Sequence, residues 1–478
     1  MPAPTTYRLI TAALLCVAGL LWWWQPAPLI WTQPDAQRLL GIGLLLAVYL
    51  LLCAWWLKPQ QRGHAAGAAD ISVVYASQSG TAQNIARQTA DALRNAECAV
   101  HTMALEHFKP ELSHNCPHWL FVVSTTGEGD PPDHALAFAR ASLQSPAALA
   151  GLHYAVLALG DRSYPHFCAF GRKLDNWLRE SQASPLFPCI EADDANPATL
   201  KHWQESLRVS FARRALSWQE SDYADWMLSE REHLNPGSPG GAIFRLCLTP
   251  TDPTALSWQA GDIAEIQVPD GRSGQAHKRE YSIASIASIA QDGRLELLVR
   301  RMFHPDGRPG LGSQHLTEQL EPGQPLRLRI RSNSNFHPPP DHAPLILIGN
   351  GTGLAGLRAH LHARQHKGLG RNWLLFGERS RQHDGLLGDE LEQAQRNGAL
   401  QRLDRTYSRE GETLRYVQDA VLAAADCVRT WVAEGACIYV CGSSHGMAPG
   451  VSAALVEILG QTAVDRLRSE GRYRSDVY

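Results

Sequence analysis

The sequence predicts an α/β chain built in series: an apolar helical hairpin, a doubly wound parallel sheet, a small antiparallel β-barrel and a second parallel sheet. Three observations carry this. Between residues 70 and 200, apolar β-branched runs end three times in polar, glycine-containing loops, the first leading into a clear helical pattern. Short strand-like runs separated by turns follow at 243–248, 262–268 and 295–299. A last apolar run at 344–348 leads into Gly349-Asn350-Gly351-Thr352-Gly353 and then a helical pattern.

Composition narrows the chemistry. The chain has 478 residues, 44% hydrophobic and 19% charged, enough for several independent cores. A formal net charge of −3 gives no basic footprint, so no nucleic-acid partner is expected. Ten cysteines contain no C-x-x-C pair, which argues against zinc ribbons, dithiol centres and ferredoxin-type clusters. No metal site is expected, and any redox chemistry needs an organic cofactor.

The N-terminus carries two apolar runs, Leu9–Trp24 and the 19-residue, charge-free Leu39–Leu57, split by Gln25-Pro26-Ala27-Pro28. A membrane span needs about 20 apolar residues. Tryptophans 22–24, 31, 55 and 56 sit at the ends of the runs or between them, where interfacial aromatics belong. Residues 1–57 are therefore expected to be two transmembrane helices, with a cleaved signal peptide as the rival reading of the first run. Arg8, Lys58 and Arg62 place both ends on the cytoplasmic side. This gives an expected multi-pass inner-membrane localisation, lipid as a partner, residues 58–69 as a tether and the catalytic domains in the cytoplasm.

The next unit spans 70–216. Its first strand, residues 70–76, runs into Ser77-Gln78-Ser79-Gly80-Thr81-Ala82 and a helix from Gln83 to Asn95. Hydroxyls and backbone N–H groups at a helix N-terminus form a phosphate-binding arrangement. No Lys follows the Gly, so this is not a Walker loop. The strand at 119–123 ends in Ser124-Thr125-Thr126-Gly127-Glu128-Gly129-Asp130, and the one at 155–159 in Gly160-Asp161-Arg162-Ser163-Tyr164-Pro165-His166-Phe167. Open α/β sheets bind ligands at those strand ends.

These three loops resemble those of the flavodoxin family, and among diflavin reductases the FMN module of the sulfite reductase flavoprotein subunit. The resemblance implies that Ser77, Gln78, Ser79, Gly80, Thr81 and Ala82 hold the FMN phosphate. It places Thr125, Thr126, Gly127 and Gly129 on one side of the ring, and Gly160, Asp161, Tyr164 and Phe167 on the other. Tyr164 is the implied outer platform, because Thr126 stands where many relatives stack an aromatic. Asp193 and Asp194 match an acidic pair near the flavin edge; a solvated loop is the alternative.

Residues 217–241 are polar and end in Leu234-Asn235-Pro236-Gly237-Ser238-Pro239, which reads as a linker. A barrel unit at 242–340 follows. Within Lys278-Arg279-Glu280-Tyr281-Ser282, strand alternation puts Arg279 and Tyr281 on one face and Ser282 on the other. The R-x-Y-S strand resembles that of the ferredoxin–NADP reductase fold. That resemblance implies Arg279 on the FAD pyrophosphate, Tyr281 on the ring, and Ser282 near the reactive nitrogen. Gly310, Gly312 and Ser313 match the second FAD loop.

The last unit, 341–478, resembles the Rossmann-like NADP domain of the same family. Gly351, Thr352 and Gly353 form the implied nucleotide loop. Arg379, Ser408, Arg409, Arg415, Tyr416 and Gln418 are the implied NADP contacts, with Leu414 where relatives carry Lys. Cys441 matches the cysteine beside the hydride, Asp476 the acidic partner of Ser282 and Cys441, and Tyr478 the aromatic that covers FAD.

The resemblance implies an NADPH-dependent diflavin oxidoreductase of the NADPH–haemoprotein reductase type, with FMN, FAD and NADPH as cofactors. A redox acceptor protein is implied, either a haem protein or a sulfite-reductase-like subunit. Ferric-chelate reduction and a non-catalytic membrane scaffold stand as alternatives. Only about ten residues separate the strand at 262–268 from the R-x-Y-S strand. The helical connecting domain of larger relatives is missing there, so the flavin modules are expected to be loosely positioned.

Overall fold

The computed structural model describes residues 70–478 apart from 127–128, 163, 212–215, 217, 219–222, 253–256, 271–275, 288–292 and 411–412. The expected hairpin at 1–57 and tether at 58–69 lie outside the described residues.

The first sheet contains β1 (Ile71–Ala76), β2 (Val100–Ala104), β3 (His118–Ser124), β4 (His153–Gly160) and two short strands, β5 (Ser184–Pro185) and β6 (Ile190–Asp193). Its order is β2-β1-β3-β4, with β5 and β6 both on β4, and every pair is parallel. Parallel strands covered on both faces read as continuous apolar runs, as these do. Val73, Leu120, Val122 and Leu157 pack with Leu93 and Trp203. Val74, Phe121, Val123 and Val156 pack with Phe138, Phe170 and Trp177 on the other face. The chain reverses direction of travel between β1 and β3, which opens a crevice at their C-terminal ends. Helix α1 (Thr81–Asn95) starts there, behind Gly80 at φ 81.

The barrel contains β7 (Ala224–His233), β8 (Ile243–Pro250), β9 (Ile263–Pro269), β10 (Ala276–Ser282), β11 (Leu295–Arg300) and β12 (Pro325–Arg331). Its order is β10-β9-β12-β7-β8-β11. An Ile283–Leu297 bridge and the bond from Ala284 N–H to Glu296 C=O (2.8 Å) join its two ends. The expected linker at 217–241 needs correction, because β7 lies inside it. Trp226 and Leu228 point into the core, while Asp225 and Glu230 face out. Polar residues on the outer face gave the segment a linker-like composition that masked its period of two.

The third sheet contains β13 (Leu345–Asn350), β14 (Asn372–Glu378), β15 (Arg402–Tyr407), β16 (Cys437–Gly442) and β17 (Tyr473–Val477). All its pairs are parallel, in the order β15-β14-β13-β16-β17. The helix Leu354–His366 covers one face, and Met447–Leu459 the other.

The expected looseness between the first sheet and the rest does not hold in this structure. Gln78 Nε2 donates to Ser475 Oγ (2.9 Å), Ser475 Oγ to Asp133 (2.6 Å), Ser334 Oγ to Gln83 (2.7 Å) and Asn335 Nδ2 to the Gln78 carbonyl (3.1 Å). Arg140 pairs with Asp465. These contacts dock the sheet directly onto the other two units, so no helical insertion is needed to place it.

His360 is fully buried between Phe336 and Tyr439, with ring centroids 5.1 and 4.8 Å away. Burial pushes its imidazole down to about 3. The folded state thus refuses a proton that the unfolded chain accepts below about 6.5. Stability is full above that pH and falls as pH drops toward 3. At pH 5 the loss is about 2 kcal/mol. In urea melts between pH 7 and 5, His360→Phe is expected to flatten the decline by that amount; an unchanged pH slope would contradict the assignment.

Candidate active site

The docked units carry two candidate sites. The larger is a cavity of about 1000 Å³ between the barrel and the third sheet. The barrel contributes Arg279, Tyr281, Ser282, Gly310, Gly312 and Ser313. The third unit contributes Gly351, Thr352, Arg379, Ser408, Arg409, Arg415, Tyr416, Gln418 and Tyr478. Residues expected for two cofactors therefore line one continuous space. Gly353 does not: a Cβ there would sit 2.1 Å from the Cys441 carbonyl, so it serves close packing of strand and helix. Leu414 is not among the lining residues, whereas Arg415 is, and its guanidinium donates to the Ser408 carbonyl (3.4 Å).

Ser282 reaches this space although alternation put it on the opposite face from Tyr281. It is the last residue of β10, where the strand gives way to the Ile283 bridge. Its hydroxyl donates to Asp476 Oδ2 at 2.7 Å, and the Cys441 thiol approaches the same oxygen at 3.9 Å. Asp476 and Cys441 face each other because β16 and β17 pair Cys441 with Asp476. Burial pushes the Asp476 carboxyl up, and the Ser282 bond pulls it back. Burial, then the Asp476 charge, pushes the Cys441 thiol well up. Cys441 thus stays a neutral donor rather than a thiolate nucleophile. Gly356 leaves the room it needs, since a Cβ there would lie 3.2 Å from its sulfur. Asn350 accepts from Ser443 N–H (3.0 Å) through its side chain and fixes the loop after β16.

Tyr478 is about half exposed, and its hydroxyl donates to Thr352 Oγ1 (3.3 Å). Its backbone is held on both sides, by Gly442 C=O and Ser444 N–H, each at 3.0 Å. Arg300 and Glu378 pair at 2.9 Å across the barrel and the third sheet. Sequence reasoning missed both; the only signal was a charged residue ending each strand.

The smaller cleft lies at the ends of β1, β3 and β4. The N–H groups of Gln78, Ser79, Gly80 and Thr81 meet no acceptor among the described residues. Ser77 Oγ accepts from Ala82 N–H (3.1 Å) and shapes the turn. Four free donors with the Ser79 and Thr81 hydroxyls fit a phosphate. Thr125 Oγ1 accepts from Phe170 N–H (3.2 Å), and Thr126 folds back on Asp130 through its N–H (2.8 Å) and hydroxyl (3.1 Å). Gly129, at φ 105, lies against His166, so the second and third loops meet. Gly127 lies outside the described residues. Gly160 abuts the Cys168 backbone, and Asp194 N–H donates to the Gly160 carbonyl (2.8 Å). Arg162 and Arg172 flank Phe167. The Tyr164 ring stacks on His445 (6.2 Å, 14°), a cavity-lining residue of the third unit that sequence reasoning missed.

A family model described as flavodoxin matches residues 73–203, and one described as oxidoreductase NAD-binding domain matches residues 347–453. Similar curated proteins include the sulfite reductase [NADPH] flavoprotein alpha-component of Vibrio cholerae serotype O1, 28% identical over 87% of this chain and 89% of its own length. Those of Photobacterium profundum (26%, over 86% and 89%) and Neisseria meningitidis serogroup B (27%, over 85% and 89%) match likewise. Both family models and these relatives point to an NADPH-dependent diflavin reductase. Its cofactors are FMN, FAD and NADPH. The alignment to the Vibrio cholerae protein runs over 549 positions, more than this whole chain, so that relative carries a stretch missing here. In this reductase β9 and β10 pair directly as neighbours in sequence, Ala276 opposite Pro269.

The multi-pass inner-membrane placement is corrected by these findings. The relatives are named as flavoprotein components, and among the described residues no single helix is long and apolar enough to cross a membrane. The bent pair Met447–Leu459 and Gln461–Ser469 instead buries Val451, Leu455, Val464 and Leu467 in the core of the third unit. Lipid is withdrawn as a partner on the same ground.

A Cβ at Gly312 would lie 2.7 Å from Arg279 Cγ and 2.8 Å from the Tyr281 hydroxyl. Gly312→Ala is therefore expected to displace both side chains and weaken FAD binding roughly 10- to 100-fold, the worth of one charge-assisted contact. The check is flavin content by chromatography, with FAD lost and FMN kept. Full retention of FAD would contradict the cradle.

Proposed function

We propose that the reductase delivers electrons from NADPH to a haem protein or a sulfite-reductase-like subunit. One observation carries this: a single cavity is lined by both the R-x-Y-S strand and the nucleotide loop, and its rim residue His445 stacks on Tyr164 of the second cleft. When bound, FAD accepts a hydride from NADPH, and FMN releases electrons singly.

The chain's own residues bind, orient and hold protons. Arg279 and the loop around Gly312 bind the FAD pyrophosphate. Ser282 Oγ holds its proton toward Asp476 and keeps one orientation at the cavity wall. The neutral Cys441 thiol gives Asp476 a second donor, which favours its ionised form against the cost of burial. Tyr478, which lines the cavity and bonds Thr352, would cover a bound flavin ring, and moving it aside for nicotinamide would lose a contact worth about 0.5–1.5 kcal/mol. Ser408 and Arg409 offset that loss by binding the nucleotide's 2′-phosphate. The haem-type acceptor follows from the relatives' name, which is that of a sulfite reductase component. Ferric-chelate reduction rested on the membrane anchor and loses its support with it.

The test is NADPH-driven reduction of a sulfite reductase haem component, compared with ferric citrate. The haem component is expected to be reduced with saturation and the chelate without it; the reverse would contradict the proposal. In the same assay Arg409→Ala should lower kcat/KM for NADPH roughly 10- to 100-fold and leave NADH nearly unchanged. Equal losses would place Arg409 away from the 2′-phosphate.

A further inference from the structure

The arginine that ends β12 belongs to the barrel, yet it reaches the other flavin's loop. The Arg331 side chain is only 3% exposed. Its Nη1 donates to the Ser79 carbonyl (2.7 Å) and to Thr81 Oγ1 (3.1 Å). Its Nη2 pairs with Glu280 (2.5 Å), which lies between Arg279 and Tyr281, and its Nε lies 3.8 Å from Glu265. The segment that follows stays on the same loop. A Cβ on Gly80 would sit 2.8 Å from the Ser332 carbonyl, Ser334 bonds Gln83, and Asn335 bonds the Gln78 carbonyl.

We propose that Arg331 completes the FMN phosphate site from the FAD unit, so that FMN binding and docking of the two units form one linked equilibrium. This rests on the reading of residues 77–82 as the phosphate loop. The loop offers four backbone donors without acceptors among the described residues and two hydroxyls, but no cation of its own. The phosphate of FMN is a dianion near neutral pH. Arg331 supplies the charge, already desolvated and fixed by Glu280 and the Ser79 carbonyl. A guanidinium held in place by both units favours the phosphate only while they are docked. By reciprocity, the phosphate then favours docking by the same factor. Riboflavin has the same ring and no phosphate, so it should not share the effect.

The experiment uses the full chain with FMN removed by dialysis, and titrates FMN and riboflavin by flavin fluorescence quenching. In Arg331→Gln and Arg331→Ala the preference for FMN over riboflavin is expected to fall roughly 10- to 100-fold, with riboflavin affinity within about two-fold of wild type. Arg331→Lys should restore part of the preference, since it keeps the charge and loses the fork. Equal weakening of both flavins would show Arg331 to be structural and overturn the inference, as would an unchanged preference. Thr81→Asp separates the two levels of the argument. A preference lost with Thr81→Asp but kept in the Arg331 variants overturns the inference alone. A preference kept in Thr81→Asp overturns the loop assignment beneath it. Retained FAD in each variant reports an intact fold. Hydrogen exchange of the docking segment Ser334–Phe336 provides the linkage readout. FMN should slow it in wild type, riboflavin should not, and FMN should lose that effect in Arg331→Gln; protection by both flavins alike would overturn the linkage.

Discussion

The parallel pairing of β17 on β16 is the constraint on which the other parts of the molecule depend. Between them, the residues from Arg474 to Tyr478 reach all three units. Arg474 binds the carbonyls of Ser334 and Asn335 at 2.8 and 3.1 Å. Ser475 bonds Gln78 and Asp133 of the FMN unit. Asp476 receives Ser282 from the barrel, and Tyr478 reaches Thr352. Successive strand residues point to opposite faces, so a slip of one position would exchange Ser475 and Asp476. Both the FMN contact and the Ser282 contact would be lost together. The register Cys441–Asp476 and Gly442–Val477 excludes that slip.

Buried charge pairs hold the barrel to the third sheet around this strand. Arg358 is 5% exposed and reaches Glu390 (2.7 Å), Glu296 (2.9 Å) and the Ala284 carbonyl (2.9 Å). The Arg300–Glu378 pair does the same at the mouth of the cavity. Removing one partner from such a pair costs about 3–5 kcal/mol, because the other charge is left buried. The cavity is therefore held by interactions whose failure is expensive. That suits a site in which a donor and an acceptor must meet in one orientation.

Much of this was legible in the sequence because local rules and tertiary needs agreed. The loop at Ser77–Ala82 had to follow a buried strand and open a helix, and it does. The R-x-Y-S strand and the Gly351–Gly353 turn were legible for the same reason. Strand β7 was not: its outer face is polar, and only Trp226 and Leu228 carry the period of two. What alternation did not reveal is the partner of Ser282: its bond to Asp476 joins positions 194 apart in sequence. Arg331, His445 and Ser475 were invisible. Each acts on a residue more than 250 positions away in sequence, and no local pattern encodes such a contact. The apolar runs before residue 58 show the opposite failure, where composition alone supported a membrane placement that the rest of the findings do not.

The central claim is that one chain moves electrons from NADPH through FAD to FMN and then outward one at a time. The most direct measurement is anaerobic stopped-flow with NADPH, on the fully loaded chain and on the same chain stripped of FMN, each with a one-electron haem acceptor. The account predicts that FAD bleaches at the same rate in both, while haem reduction collapses in the stripped protein and returns when FMN is restored. Undiminished haem reduction without FMN, or FMN bleaching by NADPH in protein that lacks FAD, would contradict it.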